Sequence, residues 1–79
     1  MNATTGDLLK MELMSNNQEF RDLAKEHQSY EIRVGELAAL LYPSEEERLE
    51  LATIKKKKLQ VKDRMESILQ NYKRKAASH

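Results

Sequence analysis

A single proline, Pro43, divides this 79-residue chain into two segments that both carry helical patterns. Directly after it, Ser44 and Glu47 have the spacing of a capping box, in which each side chain accepts a hydrogen bond from the other residue's backbone N–H. The three glutamates that follow Ser44 also suit the positive end of a helix dipole. The sequence therefore predicts a helix that begins at Ser44 and runs to about Lys73.

The segment before the proline carries an apolar seam with heptad spacing, in alternating steps of three and four residues. The seam consists of Phe20, Leu23, His27, Tyr30, Val34, Leu37 and Leu41. A capping pair precedes it, either Ser15 with Gln18 or Asn16 with Glu19. We therefore expect a first long helix over about residues 17–41.

The segment after the proline repeats the pattern, with one charged position at Lys58. This second seam consists of Leu51, Ile54, Lys58, Val61, Met65, Ile68 and Tyr72. A turn at residues 42 and 43 is short, so the two helices must pack antiparallel. Counting outward from the turn places Leu37 near Leu51 and Phe20 near Ile68, to within about one helical turn. The predicted fold is all-α, an antiparallel, coiled-coil-like hairpin of two long helices.

Residues 1–14 form an N-terminal arm in this interpretation, and residues 15–79 form the hairpin with a frayed C-terminal tail. The arm is rich in leucine and methionine. Because isolated helices of this length are marginal in water, we expect a short helix that is mobile or lightly docked. A two-helix hairpin has little interior, and surplus apolar surface usually contacts another chain. We therefore predict a homodimer that forms a four-helix bundle.

Five leucines are candidates for contacts with a partner protein, because they lie outside the two seams. They are Leu40, Leu59 and Leu69 on the long helices and Leu9 and Leu13 in the N-terminal arm. Leu59 and Leu69 are ten residues apart, so their directions differ by roughly 80° around the helix axis. They widen the apolar surface beyond what one packed helix covers. An amphipathic helix face of this kind typically binds a groove or completes a bundle.

Basic residues concentrate in the second half of the chain. Residues 1–44 carry a net charge of −3, and residues 45–79 carry +4. The candidates for binding a polyanion are Lys55, Lys56, Lys57, Lys58, Lys62, Lys73, Arg74 and Lys75. Four consecutive helical lysines spread over roughly 300° of arc, so they cannot form one flat patch. The pattern favours lysines that are solvated or pair with the first helix. The alternatives are a weak, salt-sensitive attraction to nucleic acid or anionic lipid and the docking of a protein.

Three polar residues, His27, Tyr30 and Lys58, interrupt the apolar seams at about the same level of the hairpin. One interpretation is a polar layer that fixes the register of the two helices, as buried polar residues do in coiled coils. The other is a site that senses pH or a partner, since imidazole titrates near neutrality. The sequence favours the structural interpretation.

The composition argues against catalysis. The chain has no cysteine, and His27 and His79 are its only histidines, so a metal site is not expected. No apolar run approaches the ~20 residues that a membrane-spanning helix needs. Carboxylates on exposed helices lack the desolvation that general acid–base catalysis requires. We expect a cytoplasmic, non-enzymatic protein without cofactor or small-molecule substrate.

Residues 54–65 and an element upstream of them resemble the YdcH-like family of small bacterial proteins, which carries a segment close to Leu-Lys-Lys-x-Lys-Leu-x-Leu-Lys-Asp-Glu-Ile. The positions that match as they stand are Lys55, Lys56, Lys58, Leu59, Lys62 and Asp63, while Ile54, Val61 and Met65 are apolar equivalents. Arg64 departs, because the family usually has an acid there. Upstream, Phe20, Leu23 and His27 fit the family's Phe-x-x-Leu-x-x-x-His element. The resemblance covers roughly residues 18–71 and implies a helical hairpin in a bacterial cytoplasm, with no activity or site residue to carry over.

The function that these observations favour is a protein–protein interaction or adaptor module that acts through its helix faces. The alternative is an accessory RNA- or DNA-binding protein that uses the lysine-rich second helix.

Overall fold

The computed structural model describes residues 5–77, with side-chain surroundings for residues 7–75, and this part of the chain folds into three helices without strands. They are α1 (Thr5–Asn16), α2 (Gln18–Ala38) and α3 (Glu45–Ala77). The predicted all-α class is confirmed, and the packing of α2 on α3 fits the predicted antiparallel hairpin. The tail at His79 and the first four residues of the arm lie outside the described residues.

The hairpin makes the molecule a rod. Its Cα atoms extend 55 × 27 × 16 Å, with a radius of gyration of 16.0 Å. A compact domain of this length would have a radius of gyration of about 12 Å. The described side chains are therefore mostly at the surface, and only six apolar side chains are buried.

The predicted capping box begins α3. The backbone N–H of Ser44 donates to Glu47 Oε1 at 2.8 Å, and the N–H of Glu47 donates to Ser44 Oγ at 3.1 Å. Two N–H groups that the first helical turn leaves without partners are thereby satisfied. This part of the prediction is confirmed at the level of individual atoms.

The cap of α2 is Asn17, two residues after the predicted Ser15 and one after the alternative Asn16. Asn17 has an extended backbone (φ −122°, ψ 110°), and its Oδ1 accepts from the N–H of Phe20 at 2.8 Å. Ser15 lies inside α1 instead, where its hydroxyl donates to the carbonyl of Met11. Because α1 continues to Asn16, the chain reverses direction at a single residue, and this holds α1 against the hairpin.

The connection between α2 and α3 is longer than predicted, because α2 ends at Ala38 and not near Leu41. The N–H groups of Ala39 and Leu40 donate to the carbonyls of Gly35 and Leu37, which closes the last turn. Leu41 is therefore not a seam residue, and 87% of its surface is exposed. The prediction was wrong at this position.

The core lies at the open end of the hairpin, where all three helices meet. Four buried residues form it: Leu13, Phe20, Ile68 and Leu69. Leu13 and Phe20 each expose only 2% of their surface. The α1 helix is therefore docked through Leu13, which corrects the expectation of a mobile or lightly docked arm.

Ion pairs on the flanks of the hairpin report its register. Lys58 Nζ lies 3.2 Å from Glu31 Oε1, close to the predicted alignment. Arg33 pairs with Glu50 and Arg64 with Glu19, and in both pairs the residue of α3 lies about five positions earlier than the predicted alignment places it. The three pairs bracket the predicted register.

Candidate functional site

The lysine run spreads around α3, and half of it gathers on one face. Four residues of α3 have the spacing i, i+3, i+4 and i+7, which places them on the same side of the helix. They are Lys55, Lys58, Leu59 and Lys62. We call these four residues the basic face. Lys55 and Lys62 are exposed, and Lys58 is half-buried against Glu31. The basic face combines positive charge with an exposed leucine, at 57% of its surface.

The other flank of the hairpin carries arginines that are engaged by carboxylates. Arg33 donates from Nε and Nη2 to the two oxygens of Glu50, both at 2.8 Å. Arg64 makes a similar forked contact with Glu19, at 2.9–3.2 Å. The hydrogen bond from Arg33 lowers the pKa of the Glu50 carboxyl, and the same bond raises the pKa of Arg33. Positive charge on this flank is therefore largely compensated.

The C-terminal cations Lys73, Arg74 and Lys75 lie in the last described turns of α3. Lys73 is half-buried, whereas Arg74 and Lys75 are exposed. Cations at this position are stabilised by the negative end of the helix dipole. The structure thus separates them from the basic face by about three turns of helix after Lys62.

The three residues of the predicted polar layer do not contact one another through hydrogen bonds. The hydroxyl of Tyr30 donates to Glu26 Oε1 at 2.8 Å, and Lys58 pairs with Glu31. The carboxylate of Glu26 raises the pKa of the Tyr30 hydroxyl, mainly through this hydrogen bond. His27 is half-buried at the rim of a pocket. The three side chains therefore do not form the predicted single polar layer, because each has different neighbours.

The pocket beside His27 is built from all three helices and has a volume of about 170 Å³. Its lining residues are Lys10, Phe20, His27, Lys62, Met65, Glu66 and Leu69. The buried rings and chains of Phe20 and Leu69 form an apolar floor, and Lys10, Lys62 and His27 supply basic groups around it. We call this the His27 pocket; it opens beside Lys62 at the end of the basic face.

The leucines predicted to contact a partner divide into two groups. Leu13 and Leu69 are buried in the protein's own core, and Leu9 packs against the same cluster. The prediction is therefore wrong for Leu13 and Leu69, because α1 covers the surface that the hairpin alone would expose. Leu40 and Leu59 are exposed, at 41% and 57%. Their role in binding stays a prediction.

Two apolar surfaces extend beyond the leucines that the sequence singled out. The first is the end of the hairpin, where Leu40 is followed by Leu41 and Tyr42, exposed at 87% and 94%. We call Leu40–Tyr42 the hairpin tip. The signal was present, since Tyr42 precedes Pro43 and the residue before a proline seldom has helical backbone angles, so the turn could have been extended back to Leu41.

The second surface is the outer side of α1, in the leucine- and methionine-rich arm, where Leu8 and Met11 are more than half exposed. They border an open groove lined by residues of α1 alone. The sequence could not distinguish these residues from Leu9 and Leu13, because all lie in one short apolar segment. Only the docking of α1 decides which side is covered.

The described residues include neither a cluster of metal-binding side chains nor a helix that could span a membrane. Between residues 5 and 77, no group of three or more histidine, aspartate or glutamate side chains is placed to hold a metal ion. No helix in this range is long and apolar enough to cross a membrane. The surfaces that remain to be interpreted are the hairpin tip, the basic face and the His27 pocket.

The fold and its surfaces define the class of this protein. It is an elongated helical hairpin with a short third helix, and it carries two exposed apolar surfaces and a basic face. Comparison with protein families specifies it further. Residues 20–69 match the family described as protein of unknown function (DUF465), and the chain belongs to this family. YdcH-like proteins are members of it, so the resemblance seen in the sequence is confirmed. No curated protein and no solved structure matches the chain significantly.

Proposed function

We propose that this protein is a small, non-enzymatic interaction module that works by binding another protein chain. The observation that carries the proposal is the hairpin tip. Leu41 and Tyr42 are almost fully exposed and adjacent, on a connection that the capping box of α3 holds in place. Single exposed apolar side chains are ordinary, but a contiguous apolar projection on a rigid element is typical of a binding surface.

The small interior supports self-association as part of the proposal. Only six apolar side chains between residues 7 and 75 are buried, and two helices alone build the half of the rod nearest the tip. A chain of this size commonly gains stability from a partner subunit when disulfides are absent. We propose a homodimer for this reason, with four helices side by side where the copies overlap.

The proposal places the protein in the bacterial cytoplasm and assigns it no reaction. Membership in the YdcH-like group of small bacterial proteins supports the setting. A chain free of cysteine is also compatible with a reducing compartment. Exposed carboxylates and a small pocket with lysine at its rim favour binding over catalysis.

Affinity capture with a matched pair of variants tests the interaction proposal. Tagged wild-type protein, the Leu41→Ser/Tyr42→Ser variant and the Ile32→Ser control are incubated with host lysate after nuclease treatment. Ile32 is a comparably exposed apolar residue on α2, away from the tip. We expect the wild type and the control to retain the same protein, including untagged copies of the chain, and the tip variant to lose it. Equal capture by all three proteins would contradict a role for the tip.

A second candidate function, binding to nucleic acid, is favoured by the exposed lysines of α3. Lys55, Lys56, Lys57 and Lys62 are all exposed, so they are accessible to phosphate groups. Binding would be electrostatic and strongly dependent on salt. Replacing Lys55, Lys56 and Lys57 by glutamate should abolish any mobility shift of RNA or DNA at low salt, whereas Lys25→Glu, at an exposed lysine of α2, should not. Retention of the shift in the triple variant would exclude this surface.

A further inference from the structure

We propose that the hairpin tip binds a second copy of this chain, and that each copy inserts its tip into the His27 pocket of the other. The inference rests on the proposed function and makes it specific, since it names the partner and the two surfaces that meet. Four features of the structure support it: the shape of the tip, the pocket, the charge along the rod and the distance between tip and pocket.

Hydrogen bonds within the isolated chain already close the helical turns on both sides of the tip. Hydrogen bonds close the last turn of α2 on one side, and the capping box of Ser44 and Glu47 closes the first turn of α3 on the other. Pro43 fixes one backbone angle between them. The backbone that carries Leu41 and Tyr42 is therefore held at both ends, which lowers the cost of ordering this connection on binding.

The His27 pocket has the size and lining for one large side chain. Its volume is about 170 Å³, whereas pockets for drug-sized ligands are typically about 300–1,000 Å³. Phe20, Met65 and Leu69 line it with apolar surface, which suits a leucine or an aromatic ring. Lys10 and Lys62 stand at its edge, where a tyrosine hydroxyl and neighbouring carboxylates would find donors.

Charge along the rod selects how two copies align. The tip region, residues 33–50, contains five acidic residues and two basic residues, a net charge of −3. The middle of α3, residues 55–64, contains six basic residues and one acidic residue, a net charge of +5. Two of these six, Lys58 and Arg64, pair with carboxylates of α2, and the other four are lysines without such an ion pair among the described residues. Two copies in parallel register would place like charges together, which opposes association. An antiparallel pair shifted along its length places each acidic tip beside the other copy's lysines.

The distance between tip and pocket permits both insertions at once. His27 lies eleven residues before the end of α2 at Ala38, which corresponds to about 16 Å of helix. A two-fold axis midway between tip and pocket brings each tip onto the other copy's pocket, as closed, isologous dimers require. The copies then overlap by about 20 Å, and the dimer is about 90 Å long, compared with 55 Å for one chain.

Sedimentation equilibrium of the full chain is the first test. We expect the wild type to be dimeric at micromolar concentration and the Leu41→Ser/Tyr42→Ser variant to dissociate at least tenfold more readily, with unchanged helical circular dichroism. The Ile32→Ser control should match the wild type. Because Leu41 and Tyr42 support no internal contact of the core, loss of the dimer in the tip variant cannot be attributed to unfolding.

Disulfide trapping tests the pairing of surfaces directly, since the chain has no cysteine of its own. A mixture of the Tyr42→Cys and Lys62→Cys variants should form a mixed disulfide dimer rapidly under mild oxidation. The Tyr42→Cys variant mixed with Ser29→Cys serves as the control, because Ser29 is exposed on α2 outside the pocket lining. Equal rates for the two mixtures would overturn the proposed pairing.

Charge exchange provides an independent measurement. Lys62→Glu should weaken the dimer at least tenfold, and adding Glu45→Lys and Glu46→Lys should restore most of the affinity. Glu47 is left unchanged because it belongs to the capping box. Lys25→Glu is the control for net charge alone. Failure of the exchange to restore affinity would count against contact between the acidic tip and the basic face.

The outcomes separate this inference from the broader proposal. A wild type that remains monomeric up to near-millimolar concentration overturns the inference, while tip-dependent capture of another protein would still support the interaction module. A dimer that survives the tip substitutions places the interface elsewhere and also overturns it. Small-angle scattering decides the alignment, because a maximum dimension near 55 Å would indicate full overlap and contradict the shifted arrangement.

Discussion

Burial differs from residue to residue along the two seams, although heptad spacing treats their positions alike. Phe20, Leu37, Val61 and Ile68 are buried, whereas Leu23 and Ile54 are only half-buried. A hairpin of two helices can cover one side of each seam residue, and only α1 or a long neighbouring side chain covers the rest. Spacing therefore predicted which residues face inward, and it could not predict how completely each is covered.

Substitution at two seam positions should separate these degrees of burial. Leu37, with 3% of its surface exposed, should lose about 2–5 kcal/mol of unfolding free energy on replacement by alanine. Ile54→Ala should cost distinctly less, because Ile54 is half-buried. The exposed Leu59→Ala is the control and should stay within about 0.5 kcal/mol of the wild type. Urea unfolding followed by circular dichroism measures all three, and equal losses at Leu37 and Leu59 would refute the packing described for α2.

The Arg33–Glu50 pair should make stability depend on pH in the acidic range. Because Arg33 lowers the pKa of Glu50 in the folded state, the pair stabilises the fold fully above the unfolded-state pKa of glutamate. That contribution is lost as the pH falls through the lowered, folded-state pKa. The effect should be small, since both side chains are partly exposed to solvent.

Thermal unfolding of the wild type and of Glu50→Gln measures this contribution. The wild type should have the higher melting temperature at neutral pH, and the two should converge in strong acid. Glu66→Gln is the matched control, because the carboxylate of Glu66 accepts from Gln70 and not from an arginine. A gap between wild type and Glu50→Gln that is constant over the whole range would exclude the proposed linkage.

At the scale of helices, the end of α2 shows what local chemistry contributes beyond periodicity. The ring of Pro43 would clash with the carbonyl of Ala39 if the helix continued, and the residue before a proline disfavours helical backbone angles. The α2 helix accordingly ends at Ala38, and Leu41 falls outside the seam that its spacing suggested. Proline chemistry overrode the heptad pattern here, and both signals were legible in the sequence.

Gly35 is a weak point within α2 that can be strengthened. It has helical geometry without a positive φ, and a Cβ added there would meet no atom within 4 Å. Gly35→Ala should therefore raise the unfolding free energy by about 0.5–1 kcal/mol, through helix propensity and a less flexible unfolded chain. Chemical denaturation measures the gain, and Gly35→Val should gain less because a β-branched residue loses rotamer freedom in a helix. A loss of stability in Gly35→Ala would show that this side of α2 is covered in solution.

The contact between α1 and α3 depends on one hydrogen bond as well as on Leu13. Tyr72 donates its hydroxyl to Glu12 Oε2 at 2.5 Å, and this bond raises the pKa of the Tyr72 hydroxyl. A raised pKa means that the contact is intact below the ordinary range of tyrosine ionisation and is lost as the pH rises through the folded-state value. Tyr72→Phe removes the bond while the ring remains.

Hydrogen exchange should locate the consequence of Tyr72→Phe. We expect faster exchange of amides in α1, with little change in α2 or in the first half of α3. Tyr30→Phe, which removes a hydrogen bond made within α2, is the control and should leave α1 unaffected. Unchanged exchange in α1 of the Tyr72 variant would mean that apolar packing alone holds this helix.

For the whole molecule, the hairpin and the short N-terminal helix were predictable, and the docking of that helix onto the hairpin was not. The antiparallel pairing follows from two seams joined by a short turn, and local patterns of this kind carry over to the fold directly. The docking of α1 depends on the meeting of Leu13 with Phe20, Ile68 and Leu69, which are distant in sequence. For the same reason, the His27 pocket could not be foreseen, since it exists only where three helices converge.

The single short connection between α2 and α3 also sets an order in which the chain can fold. Contacts near the connection join residues close in sequence, such as Arg33 and Glu50, 17 positions apart, whereas Glu19 and Arg64 are separated by 45. Closing the longer loop first would cost about 0.9 kcal/mol more in chain entropy. The two long helices should therefore make their first contacts near the hairpin tip and their later contacts toward the open end, and α1 should dock last.

Kinetic measurements on two core variants distinguish this sequence of events from its reverse. Leu37→Ala, near the connection, should mainly slow folding, whereas Leu69→Ala, at the open end, should mainly accelerate unfolding. Stopped-flow chevron plots measure both limbs, and the opposite assignment would indicate nucleation at the three-helix end. If contacts between α2 and α3 form first near the hairpin tip, the exposed residues of the tip reach their final arrangement before any other part of the protein.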